Sequence, residues 1–201
     1  MLVDTHCHLN NKDLYKKYLE VIKEANNNGV NLFIVPGCDL ETSKIAVELA
    51  EKHDNIYAAI GFHPTEIKNY GENEYKWLEE NVNNPKVVAV GEIGYDFHWD
   101  TTTEEEQEVS FIRQIEIAKK ANKPIIIHSR DAMNKTYLTL KEIPMTSTGF
   151  VRKELKEKLR KDYEYRNKTR KSINIDGHVY NMLIERICSV GYTHANWLYS
   201  R

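Results

Sequence analysis

Several residue types are scarce enough to exclude whole classes of protein. Three cysteines, Cys7, Cys38 and Cys188, are scattered through 201 residues. Their odd number excludes a disulfide framework and leads to the expectation of a reducing, cytoplasmic setting. No signal-like segment is evident, and no apolar run approaches the ~20 residues of a spanning helix, so no membrane contact is expected. A net charge of −2 excludes a global field of the kind that draws a protein to nucleic acid or to a membrane. No low-complexity linker and no internal repeat beyond an alternation of strands and helices is visible. What remains is a chain long enough for one domain with a sizeable core.

The charge is unevenly spread. Residues 151–171 hold ten Lys/Arg against four Asp/Glu, a local charge of +6, and residues 172–201 balance. Residues 1–150 therefore carry −8. The basic stretch has Tyr163 and Tyr165 interleaved, which would suit nucleic acid, but its Lys-Glu alternation more often marks an exposed helix face.

Short apolar runs predict strands at 2–5, 30–35, 56–60, 87–90 and 124–127. Between them, helical spacing places Leu14, Tyr18, Leu19, Ile22 and Ala25 on one face, then Ile45, Ala46, Leu49 and Ala50. Tyr75, Leu78 and Val82 mark a third helix. Thr101 to Thr103 followed by Glu104 to Glu106 offers three registers for a capping box, opening a helix with Val109, Ile112, Ile115, Ile117 and Ala118. The strand ends fall 26 to 36 residues apart, the length of a β-α-β unit. Strict alternation predicts a parallel sheet, either an α/β barrel or an open doubly wound sheet. The pattern allows a sixth strand at 147–151, after which the rhythm stops; beyond it a short strand at 173–175 and a helix at 178–189 can be read.

The chemistry collects at the strand ends. Glu92 is the one charged group closing the run Val87-Val88-Ala89-Val90, and a buried carboxylate is costly unless something positive meets it. His6 and His8 close the first strand and, two apart, leave the same face; Cys7 points away. His128 closes the fifth. Imidazoles and a carboxylate on neighbouring strand ends suit a divalent cation, with Mg, Mn and Zn not distinguished. The plainer alternatives are hydrogen-bonded core histidines and a carboxylate held by loop amides. Arg130 suits a phosphate or a surface ion pair, and His63 a substrate contact or a plain loop position. Asp96 and His98 are substrate-side groups or solvated loop residues. His178 and His194 have no spacing partner and carry no role.

The motifs DTHCHL, GFHP, GEIGYDFHWD and KPIIIHSRDA occur in order from Met1 to Ala132. Together they resemble the TatD-type metal-dependent deoxyribonucleases of the amidohydrolase superfamily, with weaker likeness to about Gly149. The resemblance implies a TIM-type (β/α)8 barrel, two divalent cations and hydrolysis of phosphodiester bonds in DNA. It implies that His6 and His8 hold one metal, that Glu92 bridges both and that His128 holds the second. Glu92 and His128 would thereby carry the catalysis, and His63 and Arg130 would lie near the substrate phosphate. Beyond residue 149 the family's later histidine and its Glu-Thr-Asp motif have no counterpart. The expectation is therefore an incomplete α/β barrel of five to six units over 1–149, a divergent segment over 150–201, and as few as one metal. Open barrel edges would invite self-association. Two rival readings are a hydrolase of another ester or amide on the same scaffold, and a non-catalytic interaction protein using the basic stretch.

Overall fold

Val, Ile and Ala dominate five short runs, and in the computed structural model these form one parallel sheet. The structure describes residues 2–143. The strands are β1 (Leu2–Asp4), β2 (Val30–Pro36), β3 (Ile56–Ile60), β4 (Val87–Asp96) and β5 (Ile125–Arg130). The helices are α1 (Lys12–Tyr15), α2 (Tyr18–Asn27), α3 (Leu40–Lys52), α4 (Glu72–Asn81), α5 (Glu104–Lys120) and α6 (Met133–Glu142). Every neighbouring pair is parallel, and the order is β1-β2-β3-β4-β5. A doubly wound sheet reverses its order at a switch point. This one does not reverse, so it curls as a half-barrel with its helices outside. The readings at 147–151, 151–171, 173–175 and 178–189 lie outside the described residues.

Both faces of the sheet are apolar, as a parallel sheet requires. Phe33, Val35, Ile60, Val90, Ile125 and Ile127 join the helices in the main core. The residues that alternate with them, Ile34, Ala59, Ala89 and Ile126, form a second buried cluster on the opposite face. Each fully buried Ile or Leu contributes about 1.5–3 kcal/mol. At the outer strand β1, Leu2 and Val3 remain exposed. No helix among the described residues is long and apolar enough to cross a membrane.

Two helix faces differ from the sequence reading. Leu19 is 58% exposed. The chain breaks between α1 and α2, and α2 turns Tyr18, Val21, Ile22 and Ala25 to the core, which leaves Leu19 outside that stripe. On α5, Val109 is 63% and Ile112 38% exposed. Its buried residues are Gln107, Ser110, Phe111, Gln114, Ile115, Ile117 and Ala118, so three polar residues occupy positions that apolar counting ignores.

Of the three capping registers, the chain uses Thr103 with Glu106. The Glu106 N–H donates to Thr103 Oγ1 at 3.2 Å, and the Thr103 N–H donates to Glu106 Oε2 at 2.7 Å. Thr103→Ala should cost about 1 kcal/mol, read as a lower urea midpoint with an unchanged slope.

β4 runs six residues past the predicted end at Val90, to Asp96. Its register against β5 shifts between Val90 and Ile93. Two glycines permit this course. A Cβ on Gly91 would lie 2.6 Å from Ile126 Cβ. Gly94 has φ +146°, and a Cβ there would lie 1.9 Å from the His128 carbonyl oxygen. Gly94→Ala should destabilise the fold by about 1–3 kcal/mol, by overpacking together with backbone strain. Thermal unfolding checks this, and an unchanged melting temperature would contradict the close β4–β5 approach.

Candidate metal centre

The extension of β4 decides the geometry, because it carries Glu92 into the sheet and adds Asp96 at its end. Glu92 is 3% exposed and Asp96 1% exposed. Next to them, β5 presents His128. Strand pairing of β1 ends at Asp4, so His6 and His8 lie just beyond it rather than on it. The chain nevertheless still meets β2 there, the Cys7 N–H donating to the Ile34 carbonyl at 3.1 Å. Asn10 fixes the next turn, its Nδ2 donating to the carbonyls of Pro36 (2.8 Å) and Thr42 (3.0 Å). The expected alternation survives: both imidazoles enter the site, and Cys7 packs against the main core.

The side chains meet around one carboxylate. Glu92 Oε2 lies 3.3 Å from His6 Nε2 and 3.9 Å from His8 Nε2. Those two imidazole nitrogens are 3.0 Å apart. Glu92 Oε1 faces the other way, 3.2 Å from His128 Nδ1. His128 Nε2 is 2.9 Å from Asp96 Oδ2. The His63 ring stands edge-on to His128, with centroids 4.1 Å apart. Two groups of three thus have ligand atoms close enough to share an ion: His6, His8 and Glu92, and His63, Asp96 and His128.

Charge favours a cation here. Burial alone would raise the Glu92 pKa, but the hydrogen bonds with His128 and His6 prevail and hold its carboxyl well below the usual range. Burial likewise opposes ionisation of Asp96, and its bond to His128 outweighs that. His128 is shifted upward: burial works against its cation, while Asp96 and Glu92 prevail. His63 goes the other way, pushed down to about 4 by burial and by nearby His128, so its ring is neutral at ordinary pH and offers a lone pair. Two buried carboxylates and four imidazoles form a hard-to-borderline donor set that fits divalent ions such as Mg, Mn or Zn.

Asp96, which the sequence left open between a substrate-side group and a solvated loop, sits buried on β4. Its second oxygen, Oδ1, accepts from the N–H groups of His98 (2.9 Å) and Trp99 (3.3 Å). His98 pairs with Asp131 at 3.4 Å. The Arg130 guanidinium lies 5.5 Å from the centre of the Trp99 ring.

Sequence reasoning missed two supports on α5. Gln107 Oε1 accepts from the Asp96 N–H, and its Nε2 donates to the Asp96 carbonyl, both at 2.9 Å. Gln114 repeats this at Phe62, accepting at 2.8 Å and donating at 3.0 Å. Two turns apart, they clamp the backbone beside His63 and at the end of β4. Their signal was a pair of glutamines seven apart on an inward face. Gln107→Ala should cost about 1–3 kcal/mol in stability, because it leaves buried backbone groups of Asp96 unpaired. Denaturant unfolding measures it; a change below about 0.5 kcal/mol would mean that water replaces the clamp.

A half-barrel that gathers histidines and carboxylates where its strands end belongs to the class of α/β proteins whose sites are built at that rim. The particular family follows from comparison. The model of the TatD related DNase family matches residues 3–167, and the chain belongs to that family. The match runs beyond residue 149, where the motif resemblance fades. The chain is 43% identical over 149 residues to the uncharacterized metal-dependent hydrolase YabD of Bacillus subtilis, covering 74% of this chain and 58% of that protein. It is 32% identical over 141 residues to the 3'-5' ssDNA/RNA exonuclease TatD of Escherichia coli K12, covering 70% and 54%. Among solved structures, the TatD homolog YJJV of Escherichia coli K12 matches with a TM-score of 0.68 and 29% identity, covering 79% of this chain and 65% of that one. The chain thus spans a little over half the length of these curated relatives.

Proposed function

We propose that this chain is a metal-dependent hydrolase acting on phosphodiester bonds in single-stranded DNA. The observation that carries the reading is the division of Glu92, whose two carboxylate oxygens face separate sets of imidazoles. In this reading His6, His8 and Glu92 hold one divalent cation, and Glu92 with His128 holds a second, next to Asp96 and His63. Such cations supply an activated water and neutralise phosphoryl charge. The chain's own groups do the rest. Asp96 orients the His128 ring through Nε2. Arg130, two residues further along β5, would meet the phosphate oxygens with its forked cation. Neutral His63 offers a hydrogen bond without adding positive charge. The name of the Escherichia coli relative, an exonuclease of single-stranded DNA and RNA, supports the choice of polymer.

The test is cleavage of a single-stranded oligonucleotide with Mg, Mn or Zn added in turn, beside a duplex and a small chromogenic ester. Metal-dependent loss of the single strand is expected, abolished by chelator and restored by metal. Hydrolysis of the ester alone would transfer the site to another ester class, and inertness toward all three would reject catalysis by this chain.

A further inference from the structure

Beside the cluster, the loop after β4 places aromatic rings in solvent. Trp99 is 55% exposed and Phe97 40% exposed. Aromatic area of that size normally sits in a core or against a partner. This area is not adventitious coil, because the loop is tied to the site through one buried carboxylate. Asp96 Oδ1 accepts from the N–H groups of His98 and Trp99, and Asp96 Oδ2 contacts His128. The backbone that carries the indole is therefore anchored to the cluster. His98 braces it edge-on, with ring centroids 4.7 Å apart at 90°. Arg130 supplies a cation against the ring, from the strand that carries His128.

We propose that Trp99 is a base-stacking residue for single-stranded nucleic acid, with Arg130 spanning from the indole to the phosphate of the adjoining nucleotide. The inference rests on the nuclease reading and deepens it by naming an unpaired base as the group recognised. A polynucleotide offers a charged phosphate and a flat ring one nucleotide apart; the site offers a cation and an exposed indole joined in the same order. Stacking needs a base free of its partner, so the geometry favours single strands over duplex. Every base has a π face, so little sequence preference is expected.

The test uses the full chain and a short thymidine oligonucleotide with phosphorothioate linkages, so that binding is read without turnover. Binding is followed by fluorescence anisotropy of a label on the oligonucleotide and by quenching of tryptophan emission. Trp99→Ala should weaken binding by about tenfold or more, the range that one base–aromatic stack supplies. It should also remove most of the quenching, and Trp99→Phe should restore most of the affinity. An oligonucleotide with an abasic nucleotide, placed in turn at each of the two terminal positions, should lose the same factor on the wild type at one position and nothing further on Trp99→Ala. Wild-type binding that Trp99→Ala leaves unchanged, or losses that simply multiply at both abasic positions, would overturn the stacking role while leaving the nuclease reading intact. Failure of the wild type to bind or cleave any oligonucleotide would overturn both.

Discussion

Glu92→Ala should abolish metal-dependent hydrolysis, lowering the rate by about 10³-fold or more. Removing even one oriented electrostatic contact at an active site costs about 10²–10³, and in the proposed function this carboxylate would serve both cations. Its loss leaves His6, His8 and His128 facing one another with no negative charge between them. Metal affinity should fall by more than about 100-fold, since losing a group that only supports a ligand already costs 10–100-fold. Stability should fall as well, because the hydrogen bonds of Glu92 outweigh its desolvation and its loss leaves His128 without one of its two carboxylate partners. Calorimetric metal titration, kinetics and thermal unfolding on the same preparation separate these effects. Retained metal affinity would show that Glu92 is a structural carboxylate and not a ligand.

Asp96→Asn and Asp96→Ala should differ from each other, and the difference locates the function of this residue. The asparagine keeps an oxygen for the N–H groups of His98 and Trp99, but loses the charge opposite His128 Nε2. It should lower metal affinity and rate by about 10–100-fold with the loop intact. The alanine removes both, and should add a loss of oligonucleotide affinity as the Trp99 loop loosens. The comparison is read as metal Kd against oligonucleotide Kd. Equal effects of the two variants on oligonucleotide binding would show that the loop does not depend on the carboxylate.

The parts of the site that were legible in the sequence are those that obey strand periodicity. His6 and His8 share a face because they are two apart, and Glu92 and His128 announce themselves as polar residues closing apolar runs. The sheet was legible for the same reason, down to the alternation between its two faces. Asp96 was hidden by the two glycines of GEIG. Periodicity read them as the end of β4, whereas they let the strand continue against β5 without a side-chain clash. Gln107 and Gln114 were hidden because a helix was read from its apolar positions, and in α5 three of the seven buried residues are polar. Val109 and Ile112 misled for the matching reason: apolar residues on a helix need not face inward when buried polar groups are satisfied by the backbone ends of two strands.

A crystal of the protein soaked in Mn and measured at the manganese absorption edge tests the metal centre without passing through activity. Anomalous peaks are expected within bonding distance of His6, His8 and Glu92 and, at higher Mn, between Glu92 and His128. Absence of any peak at Glu92 at saturating Mn, or peaks confined to surface carboxylates, would contradict a metal centre built on these four side chains.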